Sequence, residues 1–150
     1  MAHTFKHLRA PDLTLARALL AMFAEAFNER DTYLGQPPSD HYLSELLGKP
    51  HVLALAALDG ETVVGGLIAY QLDKLEQARS EIYIYDLAVL EAHRRKGVAT
   101  ALIRTLQRIA KERGAYVIFV QADPPDAPAI RLYESLGTRE DVHHFDIPVR

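Results

Sequence analysis

At 150 residues and 16.8 kDa the chain is sized for one domain, residues 1–150. Area scaling gives roughly 17,000 Å² buried on folding, about 69% of the unfolded surface, enough for an ordinary core. Hydrophobic residues at 49% and charged residues at 25% exclude disorder, collagen and fibre, and the absence of cysteine excludes disulfides, thiolate zinc sites and an acyl-cysteine intermediate. The net charge of −3 is unevenly spread: Glu91 to Arg113 holds seven basic residues against two acidic ones, a local +5, so the remainder sums to −8. One segment therefore suits an anion and the rest suits a cation. A negative total and a pI near 6.1 disfavour nucleic acid as partner. The N-terminal MAHTFKHLRA lacks an apolar signal core, and the apolar stretch from Ala18 to Phe27 is too short to span a bilayer, so the expectation is a cytoplasmic protein with no membrane partner.

The elements follow in chain order. Phe5 and Leu8 belong to a short alternating start. Pro11 and Asp12 open a helix whose apolar residues, Leu15, Leu19, Met22, Phe23, Ala26 and Phe27, recur at helical spacing. Asp31 to Pro38 reads as loop. Ser39 starts a second short helix with Tyr42, Leu43, Leu46 and Leu47, closed by Gly48 and Pro50. His51–Leu58 and Val63–Leu72 form a hairpin across Asp59-Gly60, a turn that tolerates positive φ. Glu81–Leu90 (EIYIYDLAVL), rich in β-branched and aromatic residues, is a central strand. Ala99, Leu102, Ile103, Leu106, Ile109 and Ala110 stripe a helix ending near Gly114. Tyr116–Val120 is a short strand, Asp126 and Pro128 start a further helix that Gly137 closes, and a last strand runs from Val142 to Val149. The order β, α, α, β, β, β, α, β, α, β predicts an α/β (α+β) fold: a mixed central sheet with helices on both faces.

The most informative stretch is the passage from that central strand through Glu91-Ala92-His93 into Arg94, Arg95, Lys96, Gly97, Val98, Ala99 and Thr100. Small residues in the first turn of a helix let phosphate oxygens approach free backbone N–H groups, and the three basic residues add charge-assisted hydrogen bonds. It is neither a P-loop nor the three-glycine dinucleotide fingerprint. Taken alone it is equally a surface turn. Arg94-x-x-Gly97-x-Ala99 after a strand, followed beyond a second strand by Ala129-Ile130-Arg131-Leu132-Tyr133-Glu134-Ser135-Leu136-Gly137, resembles the GCN5-related N-acetyltransferases, whose element order matches over essentially the whole chain. The runs Leu75–Val89 and Gly114–Ile118, with Val120–Asp123 and His144–Ile147, are similar to the type I aminoglycoside 3-N-acetyltransferases, the gentamicin-resistance enzymes.

The resemblance implies acetyl-CoA as cosubstrate, its pyrophosphate held by backbone N–H groups from Arg95 to Thr100 and its pantetheine arm paired with Leu87, Ala88 and Val89 as an added strand. It implies Tyr133 as general acid toward the departing thiolate, an aminoglycoside as acceptor, and a homodimer by family habit. Where the superfamily often has asparagine before the last helix, this chain has Asp126 after Pro124-Pro125.

An amine attacks a thioester only when neutral, so a proton acceptor is needed, with direct transfer in a ternary complex. Asp86, an acid within an apolar strand, is the first candidate, since burial raises its pKa; a structural aspartate bonded to backbone is the competing reading. Glu81 is a weaker base. Glu81, Asp123, Asp126 and Asp146 are the acids expected to meet a polycationic acceptor, although each exposed pair alone contributes roughly 0 to 1 kcal/mol. No metal is expected: His143 and His144 are adjacent on a strand and so point to opposite faces. Two alternatives stay open: transfer to a polyamine, other small amine or protein lysine, and a non-catalytic acyl-CoA-binding module.

Overall fold

The computed structural model describes residues 2–150. Five strands form one sheet in the order β1-β2-β3-β4-β5: β1 (Thr4–His7), β2 (Val52–Asp59), β3 (Thr62–Asp73), β4 (Ser80–Val89) and β5 (Ala115–Val120). The first four are antiparallel neighbours, and β5 joins β4 in parallel. The helices are α1 (Leu13–Phe27), α2 (Arg30–Leu34), α3 (Asp40–Leu47), α4 (Val98–Glu112) and α5 (Ala127–Leu136), with a 3₁₀ turn at Glu91–His93. The mixed sheet with helices on both faces is as expected.

Two cores lie on opposite sides of the sheet. On one, Leu53, Leu55, Leu67, Ile82 and Ile84 pack against Val98, Leu102 and Leu106 of α4; on the other, Ala54, Ala56 and Val63 pack against Leu19, Met22 and Phe23 of α1. This explains why β2 is an unbroken apolar run: both of its faces are covered. Small residues set the α1 distance. A Cβ at Gly66 would collide with Leu19 Cδ1 and stand 2.7 Å from the Leu55 carbonyl oxygen, so the helix seats only over bare backbone. The hairpin turns at Gly60, with φ of 62°, as its sequence required.

Two expectations are corrected. Residues 31–38 are not all loop, because Arg30–Leu34 forms α2, seated by Tyr33, whose ring lies 5.7 Å from both Phe23 and Phe27. The packing of one aromatic side chain outweighs a polar local sequence. The strand expected over Val142–Val149 does not form either. Every residue from Gly137 to Arg150 is exposed and none lies in a sheet: alternation alone makes no strand where the backbone finds no neighbouring edge to bond.

Candidate active site

The site arises where β4 and β5 part. Their parallel pairing runs from Ser80 opposite Ala115 to Ile84 opposite Val120, and there β5 ends. Beyond that point β4 keeps its partner on the β3 side, with Leu87 opposite Leu67 and Val89 opposite Gly65, but has none on the other. The outer edge of β4 from Asp86 to Val89, which no strand pairs, thus borders an open wedge. Such an edge takes an extended, amide-bearing chain as an added strand.

A β-bulge aims the side chains. Ile68 opposes Asp86 and Ala69 opposes Ile84, which leaves Tyr85 as the extra residue. The bulge reverses the alternation: Ile82 and Ile84 point into the α4-side core, but so do Leu87 and Val89, while Ala88 packs on the α1 side. Asp86 falls on that α1 side as well, within reach of α2. The Tyr33 hydroxyl donates to Asp86 Oδ1 at 3.0 Å. Burial holds the Asp86 carboxyl above the ordinary aspartate range, the Tyr33 hydrogen bond opposes the rise, and the charge of Glu29 adds to it. Burial and the Asp86 charge together keep the Tyr33 phenol protonated, so it remains the donor. Sequence reading missed Tyr33; its only signal was an aromatic residue six positions beyond Phe27 in an otherwise polar stretch.

A cavity of about 190 Å³ occupies the wedge, bounded by Asp86 and Leu87 from β4, Asp123 and Asp126 from the loop after β5, and Tyr133 from α5. Asp86 and Tyr133 therefore line one space, each on its own element. The Tyr133 hydroxyl makes no hydrogen bond among the described residues, and burial, with the Asp126 charge behind it, pushes its pKa up to about 12. Asp126 also caps α5, its Oδ1 accepting from the Ala129 N–H at 3.3 Å. Tyr85 also lines the cavity and is met edge-on by Tyr70 and Tyr83 at 6.1 and 5.8 Å, with Tyr83 in turn stacked on Phe119 at 4.7 Å.

The basic turn lies at the far end of the half-strand. Gly97 precedes α4 with φ of 78° and no side chain caps the helix, so the first N–H groups, at Val98, Ala99 and Thr100, face outward; a Cβ at Gly97 would meet nothing within 4 Å. Arg94, Arg95 and Lys96 are exposed beside it, and Arg95 is itself left-handed, with φ of 62°. Arg94 is partly committed, its Nε donating to the Val89 carbonyl at 2.9 Å, which ties the turn to the end of β4. Uncapped N–H groups, open space in front of a glycine and free cations fit a pyrophosphate, and the β4 half-strand leading from them fits the pantetheine amides of acetyl-CoA.

The expected substrate acids separate. Asp123 and Asp126 line the wedge. Glu81 sits at the other end of β4, where its Oε1 accepts from the Tyr116 hydroxyl at 2.5 Å and lies 3.5 Å from Lys74 Nζ. Asp146 lies on the exposed C-terminal segment, bonded to His144 at 2.8 Å. Neither is brought to the cavity. No group of three or more His, Asp or Glu among the described residues is arranged to hold a metal, and no helix there is long and apolar enough to cross a membrane.

Comparison with known proteins agrees with the fold. The chain is 54% identical to a structurally characterised aminoglycoside acetyltransferase from an uncultured soil metagenomic sample, over the full length of both, with a TM-score of 0.98. A second soil-metagenome aminoglycoside acetyltransferase, solved with sisomicin, is 29% identical with a TM-score of 0.91, covering 99% of this chain and 97% of that one. Among curated proteins, N-acetyltransferase 8B of Rattus norvegicus is 29% identical over 89 residues, which is 59% of this chain. The chain spans about 40% of the length of that relative. The profile of the acetyltransferase (GNAT) family matches residues 16–138. The chain belongs to the acetyltransferase (GNAT) family.

Proposed function

We propose that the protein acetylates the 3-amino group of an aminoglycoside by direct transfer from acetyl-CoA in a ternary complex, and so protects its host against the antibiotic. The observation that carries this reading is the pairing of Asp86 and Tyr133 across one cavity, at the end of an unpaired half-strand that leads to an uncapped helix start. The 54% identical neighbour is called an aminoglycoside acetyltransferase, which supports the acceptor class.

Acetyl-CoA supplies the acetyl group as a thioester. The protein's part is to bind, orient and move protons. The N–H groups of Val98, Ala99 and Thr100, with Arg95 and Lys96, hold the pyrophosphate, while the edge of β4 from Leu87 to Val89 aligns the pantetheine arm. Asp123 and Asp126 attract the cationic acceptor into the wedge; the cavity concentrates their field, which an open surface would not. Asp86, with one oxygen fixed by Tyr33, takes the proton that the amine must lose to attack, and its raised pKa suits it to accept one. A C–N bond forms as the C–S bond breaks. Tyr133, a phenol kept protonated, donates a hydrogen bond to the sulfur as it takes on charge. With a pKa above that of an ordinary thiol it stabilises the leaving group without being spent as a strong acid.

The test is coenzyme A thiol release with gentamicin, kanamycin, spermidine and a lysine peptide, followed by mapping of the acetylated position. Acetylation of the gentamicin 3-amine is the expected result. Release with spermidine or the peptide alone would overturn the acceptor, and acetyl-CoA binding without release would favour a binding module.

A further inference from the structure

We propose, resting on the aminoglycoside reading above, that Tyr85 is the platform on which the acceptor lies. Its ring stacks against the apolar face of a saturated, amine-bearing ring and so selects acceptors of that shape. Tyr85 is 64% exposed, although it lies within β4 and in the wall of the cavity that holds Asp86 and Tyr133. An aromatic ring left bare in a cavity wall is the usual apolar part of a small-molecule site, the carboxylates being its polar part.

The bulge in β4 puts this ring beside the proton acceptor. Along a regular strand successive side chains take opposite faces, so neighbouring residues are separated by the sheet. Here Tyr85 is the extra residue between the pairs Ile68–Asp86 and Ala69–Ile84. Tyr85 shares the face of Tyr83, whose ring it meets at 5.8 Å, opposite the core-facing Ile82 and Ile84. Asp86 is turned to that same face, where the Tyr33 hydroxyl donates to it at 3.0 Å. Ring and carboxylate therefore stand side by side. An acceptor ring lying on Tyr85 presents an amine on its rim to Asp86.

The ring is held rather than free. Tyr70 and Tyr83, cross-strand partners on β3 and β4, meet it edge-on. Tyr83 is fixed in turn by Phe119 of β5, with ring planes within 4° of parallel, and by its own hydroxyl, which donates to Gln121 Oε1 at 3.0 Å. Tyr70, Tyr83 and Phe119 are partly buried, and Tyr85 is the member of the row left exposed. A tyrosine so braced offers a ligand flat area with little freedom to lose on binding.

The shape of the occupant follows from the two chemistries of the cavity. Asp86, Asp123 and Asp126 line it with carboxylates, and Tyr85 lines it with a ring face. A saturated ring with ammonium groups on its rim satisfies both. Its rim points at the carboxylates and its C–H face lies on the tyrosine, whose π-system also attracts nearby positive charge. A linear polyamine satisfies the carboxylates too, but must immobilise several rotatable bonds to lie flat on the ring.

The experiment is steady-state thiol release with gentamicin, for the unaltered protein and for Tyr85→Phe, Tyr85→Leu and Tyr85→Ala. Tyr85→Phe keeps the ring face, so its gentamicin KM should stay within about twofold of the parent value. Tyr85→Ala should raise that KM about five- to thirtyfold, the worth of one such ring contact. Tyr85→Leu should resemble it, since leucine supplies apolar area without a flat face. In all three kcat should hold within about twofold, the mark of an interaction equal in the ground and transition states. The acetyl-CoA KM and the far-UV circular dichroism should not move, which separates a lost platform from a damaged fold. An unchanged gentamicin KM in Tyr85→Ala would overturn the platform, as would a leucine variant equal to the phenylalanine one. A fall in kcat at constant KM would also overturn it, because Tyr85 would then act through Asp86 rather than on the acceptor. Failure of the acceptor reading looks different: the unaltered protein would acetylate spermidine or a lysine peptide but not gentamicin, and the platform would fall with it. Gentamicin turnover indifferent to Tyr85 overturns the platform alone.

Discussion

Asp86→Asn is the substitution on which the proposed chemistry depends most directly, and it should change two properties in opposite directions. Asparagine has nearly the same shape as aspartate, and its side-chain oxygen can still accept from Tyr33, whose hydroxyl lies 3.0 Å from Oδ1. The fold and the acetyl-CoA site, at the other end of the half-strand, should be undisturbed. What is lost is the proton acceptor. General base catalysis is worth about 10²–10⁴ in rate, so kcat should fall by that factor, or about 2.7–5.5 kcal/mol of transition-state stabilisation. Stability should rise. Burial raises the folded pKa of Asp86 above its unfolded value, so on raising the pH the unfolded chain releases this proton first. Between the two pKa values folding loses stability, and above both the loss is complete. The variant has no such loss. Its stability relative to the parent should be flat below about pH 4, climb through the interval above it and level off. Steady-state thiol release, acetyl-CoA titration calorimetry and urea midpoints at pH 4 and pH 8 measure the three quantities. Unchanged kcat would remove Asp86 as the base. A loss of kcat accompanied by loss of acetyl-CoA affinity would refute the separation of the two sites, and a stability difference independent of pH would refute the burial argument.

Tyr133→Phe removes a hydroxyl with no hydrogen bond among the described residues, so unfolding free energy should change by no more than about 0.5 kcal/mol. The kcat should fall by about 10²-fold or more if the phenol assists the departing sulfur, and paired thermal melts and thiol-release assays decide it. Gly97→Glu places a carboxylate where the pyrophosphate is held and forces a side chain onto φ of 78°, but into open space. It should fold, at a cost of about 1 kcal/mol, and bind acetyl-CoA undetectably by calorimetry; undiminished affinity would displace the cofactor site. Gly66→Ala drives a methyl group against Leu19 and the Leu55 carbonyl, so its urea midpoint should drop by the equivalent of about 1–3 kcal/mol without a change in cofactor affinity per folded molecule.

The local code carried most of the fold. Apolar spacing in α1 and α4, the Asp59-Gly60 turn and the β-rich EIYIYDLAVL segment each consist of neighbours in sequence that act as neighbours in space, so periodicity alone predicts them. The basic turn was equally legible, because a helix start and its free N–H groups are local features. Three matters were decided only by tertiary structure. The bulge at Tyr85 depends on how β4 registers against β3, and it turns Asp86 toward Tyr33, an approach between residues 53 positions apart. The parting of β4 and β5 follows from where β5 stops, which no property of β4 announces, and it sets Tyr133 and Asp86 on one cavity while leaving Glu81 engaged by Tyr116 and Lys74. The residues after Gly137 have the pattern of a strand, but pattern supplies only half of a strand. Its hydrogen bonds must come from a partner edge, and whether that edge is within reach is a property of the folded molecule rather than of the segment itself.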